Sequence, residues 1–358
     1  MKIGILTYHR SHNYGALLQA MATRIVLEQM GHEAYYVDYW PDYHRQMYAL
    51  FSFKQALRCG IRGAIRYTIG VVTKFRRRKQ RFKAFKEFIQ KQIEPYCLPY
   101  NSEDRYDVII YGSDQIWRKQ GGLSGQFNPI YYGSNILQAD RHISYAASMG
   151  IINLSERDIK FLQDKLRKFT KISVREEDLS QTLNEIGIPN EVVLDPTLLL
   201  SNQEWSKLMP INRLFSKKYA LYYRLQTNAF DEKEIEEFAK EHGYELLVLE
   251  GSVGKKKNNV LSSAGPWEFL SLVKHADFVF TSSYHGLIFS LIFEKEFYAS
   301  FVTNVGRAES ILTKLNIKDR LIRPLNKFSY NPIPINYKSV HENICIVKQA
   351  STDFLLKI

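Results

Sequence analysis

One feature constrains this chain more than any other: short apolar runs alternate with helix-period segments, in two successive series. Ile3 to Thr7 reads as a strand, Ala16 to Met30 as a helix stopped by Gly31, and Ala34 to Tyr39 as the next strand. Further strands are expected at Asp107 to Tyr111, His142 to Ala146, Lys171 to Val174 and Glu191 to Leu194, with a helix near Glu156 to Phe169. Consecutive parallel strands need crossover helices, so this alternation predicts a parallel sheet covered on both faces. The second series has strands at Tyr219 to Tyr223, Glu245 to Leu249 and Phe278 to Thr281, and helices at Glu232 to Glu241, Trp267 to Lys274 and Leu287 to Phe293. A chain of 358 residues exceeds the size at which single cores stop growing. The expectation is therefore an α/β protein of two Rossmann-like domains, residues 1–201 and 202–336, facing each other across a cleft. The polar stretch Asn202 to Ser216 reads as the crossing between them. Tyr337 to Leu356 reads as a helix, and residues 337–358 are expected to pack back toward the first domain.

Lys and Arg number 49 against 37 Asp and Glu, a net charge of +12. Thirteen of those basic residues and one acid, Glu87, fall between Lys54 and Lys91, so the rest of the chain is formally neutral. Charge confined to one segment, with no nucleic-acid motif beside it, argues against nucleic acid as a partner. The segment reads as a basic amphipathic helical insertion at about residues 50–92. In it Lys54, Arg58, Arg62 and Arg66 recur every four residues beside Phe53, Leu57, Ile61 and Ile65. A helix with adjoining cationic and apolar faces suits an anionic membrane surface, reached through residues 54–91. A basic helical hairpin that caps the cleft is the competing reading. No apolar run approaches the ~20 residues that span a bilayer, and Met1 to Tyr8 lacks the features of a signal peptide. The expected location is the cytoplasm, peripherally at the inner face of the cell membrane. Cys59, Cys97 and Cys345 form no CxxC pair, so neither a metal site nor a disulfide framework is expected.

Ligands of open parallel sheets bind beyond the carboxyl ends of the strands, which gives weight to polar residues there. Asn13, Tyr14 and Gly15 follow the first strand; Asn13 can cap the helix, and Gly15 can let backbone approach a ligand, although such a turn also occurs without one. Gly112 to Trp117 follows the strand Val108 to Tyr111. Asp114 can orient or deprotonate a sugar hydroxyl there and Trp117 can stack on a sugar ring, or the two can serve as helix cap and core filler. Small residues at Ser144 to Gly150 suit close packing. Arg175 sits just past a strand, where its fork can grip a phosphate or carboxylate; pairing with Glu176 or Asp195 is the alternative. Asp195, in Asp195-Pro196-Thr197, reads as an organiser of the hinge. Ser282, Ser283, Tyr284, His285 and Gly286 combine hydroxyls, a titratable ring and a glycine at a helix N-terminus, a ready anion site.

Six of these stretches, taken in order, resemble the polysaccharide pyruvyltransferase family: Asn13 to Gln19, Gly112 to Trp117, Ser144 to Ser148, Ser173 to Glu176, Asp195 to Thr197 and Ser283 to Gly286. The likeness runs roughly from residue 3 to residue 320. It implies a fold like the two-lobed GT-B glycosyltransferases. It also implies ketal formation on cell-surface sugars, with phosphoenolpyruvate as co-substrate and no other cofactor. On that reading His285 is the general acid, or failing that the phosphate binder, and Asp114 handles the attacking hydroxyl. Arg175, Ser282, Ser283, Tyr284, Gly286 and Arg307 hold the donor, while Asn13, Tyr14, Gly15 and Trp117 line the acceptor side. The acceptor would be an oligosaccharide, in one version linked to polyprenyl diphosphate. Two features depart from the family: Gly306 to Ser310 stands where an Arg-x-Ser-Arg-like stretch is common, and the basic insertion is not part of the shared core. A GT-B glycosyltransferase using a nucleotide sugar is the alternative enzyme of the same architecture.

Overall fold

The computed structural model describes residues 1–50, 60–100, 104–120, 123, 125–133, 137–254, 259–326, 328 and 330–358. The first lobe runs β1 (Lys2–Leu6), α1 (Tyr14–Gln29), β2 (Glu33–Asp38), α2 (Asp42–Met47), α3 (Gly60–Gln92), β3 (Cys97–Pro99), β4 (Tyr106–Tyr111), β5 (Ala139–Ala147), α4 (Glu156–Leu166), β6 (Lys171–Val174), α5 (Glu177–Glu185) and β7 (Glu191–Val192). A capped helix, α6 (Asn202–Leu208), opens the polar crossing between the lobes: Ser201 and Glu204 form a reciprocal capping box there. The second lobe runs β8 (Tyr219–Arg224), α7 (Glu232–Glu241), β9 (Glu245–Glu250), β10 (Val260–Leu261), α8 (Pro266–Lys274), β11 (Phe278–Thr281), α9 (Tyr284–Ile292), β12 (Phe297–Ser300), α10 (Gly306–Lys314) and β13 (Leu321–Ile322), and the chain ends in α11 (Tyr337–Leu356).

The strands form two sheets, of order β3-β2-β1-β4-β5-β6-β7 and β10-β9-β8-β11-β12-β13, with every pairing parallel. Both are doubly wound: the order reverses beside β1 and β4 in one, and beside β8 and β11 in the other, which creates a crevice at each switch point. The chain is thus α/β with two Rossmann-like, GT-B-like lobes. Ile3, Ile5, Val108, Ile109 and Ile110 are all fully buried, because helices cover both faces of the first sheet. This is why the central strands read as continuous apolar runs.

Helix α1 is apolar nearly all round, and it is buried on nearly every side. One flank lies on the first sheet, and another packs on α8 and α9 of the second lobe. Tyr14 shows how: its ring stacks on Phe269 at 4.8 Å and its hydroxyl donates to the Ala264 carbonyl at 2.8 Å. The lobes therefore share one apolar core. The C-terminal α11 returns to the first lobe, where Ser351 Oγ accepts from the Leu194 N–H at 2.9 Å and Phe354 lies beside the Tyr145 ring.

The basic insertion is one continuous helix over residues 60–92, since no proline or stop signal interrupts it, and this replaces the hairpin reading for the described part. Its inner stripe of Val71, Arg81, Phe85, Phe88 and Ile89 is buried. Arg81 donates to the Tyr14 hydroxyl of one lobe at 2.7 Å and to the Gly251 carbonyl of the other at 3.0 Å, so it is a structural bridge and not a surface charge. Phe53, Lys54, Leu57 and Arg58 lie outside the described residues, as do the side chains of Ile61 and Arg66. On the outward face Ile65, Ile69, Val72 and Phe75 are exposed, followed by exposed Arg76, Lys79, Lys83 and Lys86. No helix among the described residues is long and apolar enough to cross a membrane.

Candidate active site

The two switch points face one another. Asn13 caps α1 by accepting from the Ala16 N–H at 3.2 Å, and Ser283 caps α9 by accepting from the Gly286 N–H at 3.4 Å. Helix α9 thus begins at Tyr284, three residues earlier than expected, and His285 sits in its first turn. That turn lies directly against the first turn of α1: a Cβ built on Gly15 would stand 1.9 Å from His285 Nδ1. The absence of a side chain at Gly15 lets the histidine ring of the opposite lobe, rather than a ligand, approach the backbone.

Behind His285 lies a buried ionic cluster. Arg175, at the end of β6, donates from Nη1 to Asp195 at 2.6 Å. The same Asp195 Oδ2 is 3.4 Å from His285 Nε2, and its Oδ1 accepts from the Thr197 amide and hydroxyl. Glu176 Oε1 lies 3.7 Å from Arg175 Nε and 3.8 Å from Arg307 Nε, and accepts from the Ser148 hydroxyl. Both guanidinium groups lie against the Tyr284 ring, 4.8 Å from its centroid for Arg175 and 5.1 Å for Arg307. Burial works to raise the Asp195 carboxyl, but His285 and Arg175 outweigh it and hold Asp195 well below the usual carboxylate range. For Glu176 burial wins over the two arginines, and its carboxyl is raised. Burial, together with repulsion from Arg175, lowers Arg307.

This cluster is not internally satisfied. Arg175 Nε and Nη2, Arg307 Nε, His285 Nε2 and Glu176 Oε2 are all buried without a hydrogen-bond partner. Such atoms are costly to leave unmet, and here four of the five are nitrogens on potential cations. The arrangement suits a small anion with several oxygens, reached from both lobes at once.

The other expected residues fall in different places. Asp114 stands at the mouth of the cluster with left-handed backbone (φ 74), its Oδ1 3.9 Å from Arg175 Nη2 and accepting from the Gln115 N–H. Gly112 allows this turn, since its φ is 124 and a Cβ would lie 2.2 Å from the Tyr145 carbonyl oxygen. Trp117 has no face free for a sugar: it is fully buried, stacks on Tyr132 and donates to the Tyr131 carbonyl. Tyr14 is interlobe packing, as described above. The Ser282 hydroxyl is engaged within its own lobe, where it accepts from the Leu225 and Gln226 amides and fastens the loop after β8. Gly286 is a packing glycine, because a Cβ there would lie 2.1 Å from Thr281 Oγ1.

Sequence reasoning placed Asp195 at a hinge, offered Asp195 or Glu176 as a pairing partner of Arg175, and read Ser148 as close packing; the Arg175–Asp195 pair is present, and all three residues belong to the cluster. Their common signal is a polar residue after β5, β6 or β7, the rule applied elsewhere. Apart from this cluster, His9, Asp38 and Cys97 bring metal-ligating atoms within 4.8 Å of one another. Both Asp38 oxygens are already held by Arg10, at 2.5 and 2.8 Å, which makes this a satisfied ion pair.

A family model described as polysaccharide pyruvyl transferase matches residues 13–300, a span that contains the whole cluster except Arg307. No curated protein matches the sequence. Among solved structures, the UDP-GlcNAc 2-epimerase of Methanocaldococcus jannaschii aligns over 97% of this chain and 93% of its own, at 11% identity and TM-score 0.48. The UDP-GlcNAc 2-epimerase of Neisseria meningitidis, solved with UDP-GlcNAc, aligns over 100% of both chains at 9% identity and TM-score 0.46. The spinosyn forosaminyltransferase SpnP aligns over 98% of this chain and 95% of its own, at 9% identity and TM-score 0.37.

Proposed function

The chain belongs to the polysaccharide pyruvyl transferase family, and from that premise we propose that it moves a pyruvyl group from phosphoenolpyruvate to a sugar of a surface-polysaccharide precursor, closing a cyclic ketal. The observation that carries the reading is the set of unmet buried nitrogens on Arg175, Arg307 and His285. Phosphoenolpyruvate has a phosphate and a carboxylate, and so can meet donors arriving from two lobes. Arg175 and Arg307 hold these two groups, and the Tyr284 ring packs against both guanidinium groups. Ser283 contributes by fixing the turn that carries His285.

The reaction requires a proton at the methylene carbon, attack of a sugar hydroxyl on the cationic C2, departure of phosphate and closure by a second hydroxyl. In this reading His285 either moves a proton or binds the departing phosphate. Asp114, at the mouth, orients the attacking hydroxyl or takes its proton, and Asn13 is assigned to the acceptor side.

The acceptor is an oligosaccharide, carried in this reading on polyprenyl diphosphate at the inner membrane face. Support comes from the outward face of α3, where Ile65, Ile69, Val72 and Phe75 are followed by four exposed cations. Each Lys or Arg close to an anionic bilayer contributes about 1 kcal/mol.

The test is the thermal midpoint of the wild type, His285→Asn and Arg307→Gln, each with millimolar phosphoenolpyruvate and separately with a panel of nucleotide sugars. At 100 times its dissociation constant a ligand adds about 2.7 kcal/mol. Stabilisation by phosphoenolpyruvate that both variants lose is the expected result. Stabilisation by a nucleotide sugar alone would replace the pyruvyl reading with that of a glycosyltransferase.

A further inference from the structure

The proposed reaction gives no task to the buried carboxyl of Glu176, and unlike Asp195, whose two oxygens are both engaged, Glu176 keeps one oxygen without a partner. It is 2% exposed and forms the N-terminal boundary of α5, yet its side chain caps nothing. Oε1 is held by Ser148 and faces both arginines, whereas Oε2 has no partner. A carboxylate so placed competes with an anionic ligand for the same two cations. Phosphoenolpyruvate brings up to three negative charges into a chamber that already holds Asp195 and Glu176. Protonation of Glu176 removes that conflict. It also turns the unpartnered Oε2 into an O–H donor, the only form in which this atom can face an anion.

We propose that Glu176 receives phosphoenolpyruvate as a neutral carboxylic acid and delivers its Oε2 proton to the methylene carbon of the donor. This rests on phosphoenolpyruvate being the donor. The π pair of the C2–C3 bond takes the proton and forms the new C3–H bond, which leaves C2 cationic and Glu176 a carboxylate between Arg175 and Arg307. A sugar hydroxyl adds to C2 and loses its proton, and phosphate leaves with the C2–O pair. The second hydroxyl then closes the ring. Of the two protons released, one recharges Glu176 and the other departs with phosphate, so His285 is left to serve the phosphate. The charged and polar groups that face Glu176 are Arg175 on its own strand end, Arg307 from α10, Asp178 from α5 and the Ser148 hydroxyl from the turn after β5. Asp178 and burial favour the acid form, and the other three oppose it.

The test is isothermal titration of phosphoenolpyruvate into the full-length wild type and Glu176→Gln. It is run between pH 6 and 9 in pairs of buffers that differ in ionisation heat, which counts the protons taken up on binding. The wild type is expected to take up about one proton more than Glu176→Gln in part of this range. Ser148→Ala, which removes a hydrogen bond to the ionised form, should move that window to higher pH. With phosphoenolpyruvate and a panel of sugar diols, phosphate release by Glu176→Gln should fall about 100-fold or more in kcat, with KM for phosphoenolpyruvate unchanged or lower. Equal proton uptake by the two proteins at every pH overturns the proposal. So does a Glu176→Gln kcat within threefold of wild type. No binding of phosphoenolpyruvate to the wild type would instead overturn the donor on which the proposal rests.

Discussion

The contact between Gly15 and His285 makes Gly15→Ala the most informative single substitution. The added Cβ would lie 1.9, 2.3 and 2.5 Å from Nδ1, Cγ and Cε1 of the imidazole. Ordinary contact between such atoms begins near about 3.5 Å, so the ring must retreat by roughly 1.5 Å. Its retreat is opposed by Asp195, 3.4 Å from Nε2. Alanine in a helix gains about 0.5–1 kcal/mol over glycine, and overpacking a buried site costs about 1–3 kcal/mol. The net loss is about 1–2 kcal/mol, a midpoint drop of only a few degrees for a chain of this size. A catalytic ring displaced by more than 1 Å loses far more, on the order of 100-fold in activity.

The stability half of this argument can be isolated by a double-mutant cycle in differential scanning calorimetry. In a His285→Ala background the ring is gone, so Gly15→Ala should no longer destabilise and should recover its helical gain of about 0.5–1 kcal/mol. If Gly15→Ala costs the same with and without His285, the two residues do not clash and the head-to-head arrangement of α1 and α9 is wrong. Phosphoenolpyruvate affinity of Gly15→Ala within threefold of wild type would contradict the functional half.

Three further outcomes are expected. Tyr14→Phe leaves the Ala264 carbonyl and an Arg81 N–H unmet in a buried place, so it should cost about 1–3 kcal/mol by thermal unfolding, while phosphoenolpyruvate affinity stays within threefold; a neutral effect on stability would deny the bridge. His12 and His44 are each lowered from 6.5 to about 4, by burial first and then by Arg81 and Arg118 respectively. Their folded pKa values lie below the unfolded ones, so the stability they lend is present above pH 6.5 and is lost as pH falls toward 4, with a ceiling of about 3 kcal/mol each. Glutamine at both positions should flatten the midpoint over that window, and an unchanged slope would mean that neither is buried neutral. Aspartate at both Ile69 and Val72 should abolish co-sedimentation with vesicles rich in phosphatidylserine and leave stabilisation by phosphoenolpyruvate intact; undiminished co-sedimentation would remove the outward face of α3 from the membrane proposal.

The central strands and long helices were legible because parallel sheets covered on both faces write apolar runs separated by helical periods. Three of the four edge strands were not: β3, β10 and β13 have two or three residues, too few to show any period, whereas β7 was expected from the run Glu191 to Leu194. Strand β12 is only four residues long, beside the charged Glu294 to Glu296. Helix α9 was begun too late because Ser283-Tyr284-His285-Gly286 looks like a loop until the hydroxyl of Ser283 is seen to cap it.

The site illustrates a different limit. The rule that ligands gather beyond the carboxyl ends of strands selects residues lobe by lobe, and it selected His285, Arg175, Asp114 and Gly15. It cannot say which strand end of one lobe meets which strand end of the other. That pairing decides roles: Gly15 serves a histidine 270 positions away, and Asp195, the ion-pair partner of Arg175, also stands 3.4 Å from His285 Nε2. Trp117 and Tyr14 failed as ligand contacts for the same reason, since a large aromatic after a strand is equally a filler of the space between layers. Only the sum of unmet donors, after every internal pair has been counted, distinguishes a site that waits for an anion from one that is already neutral within itself.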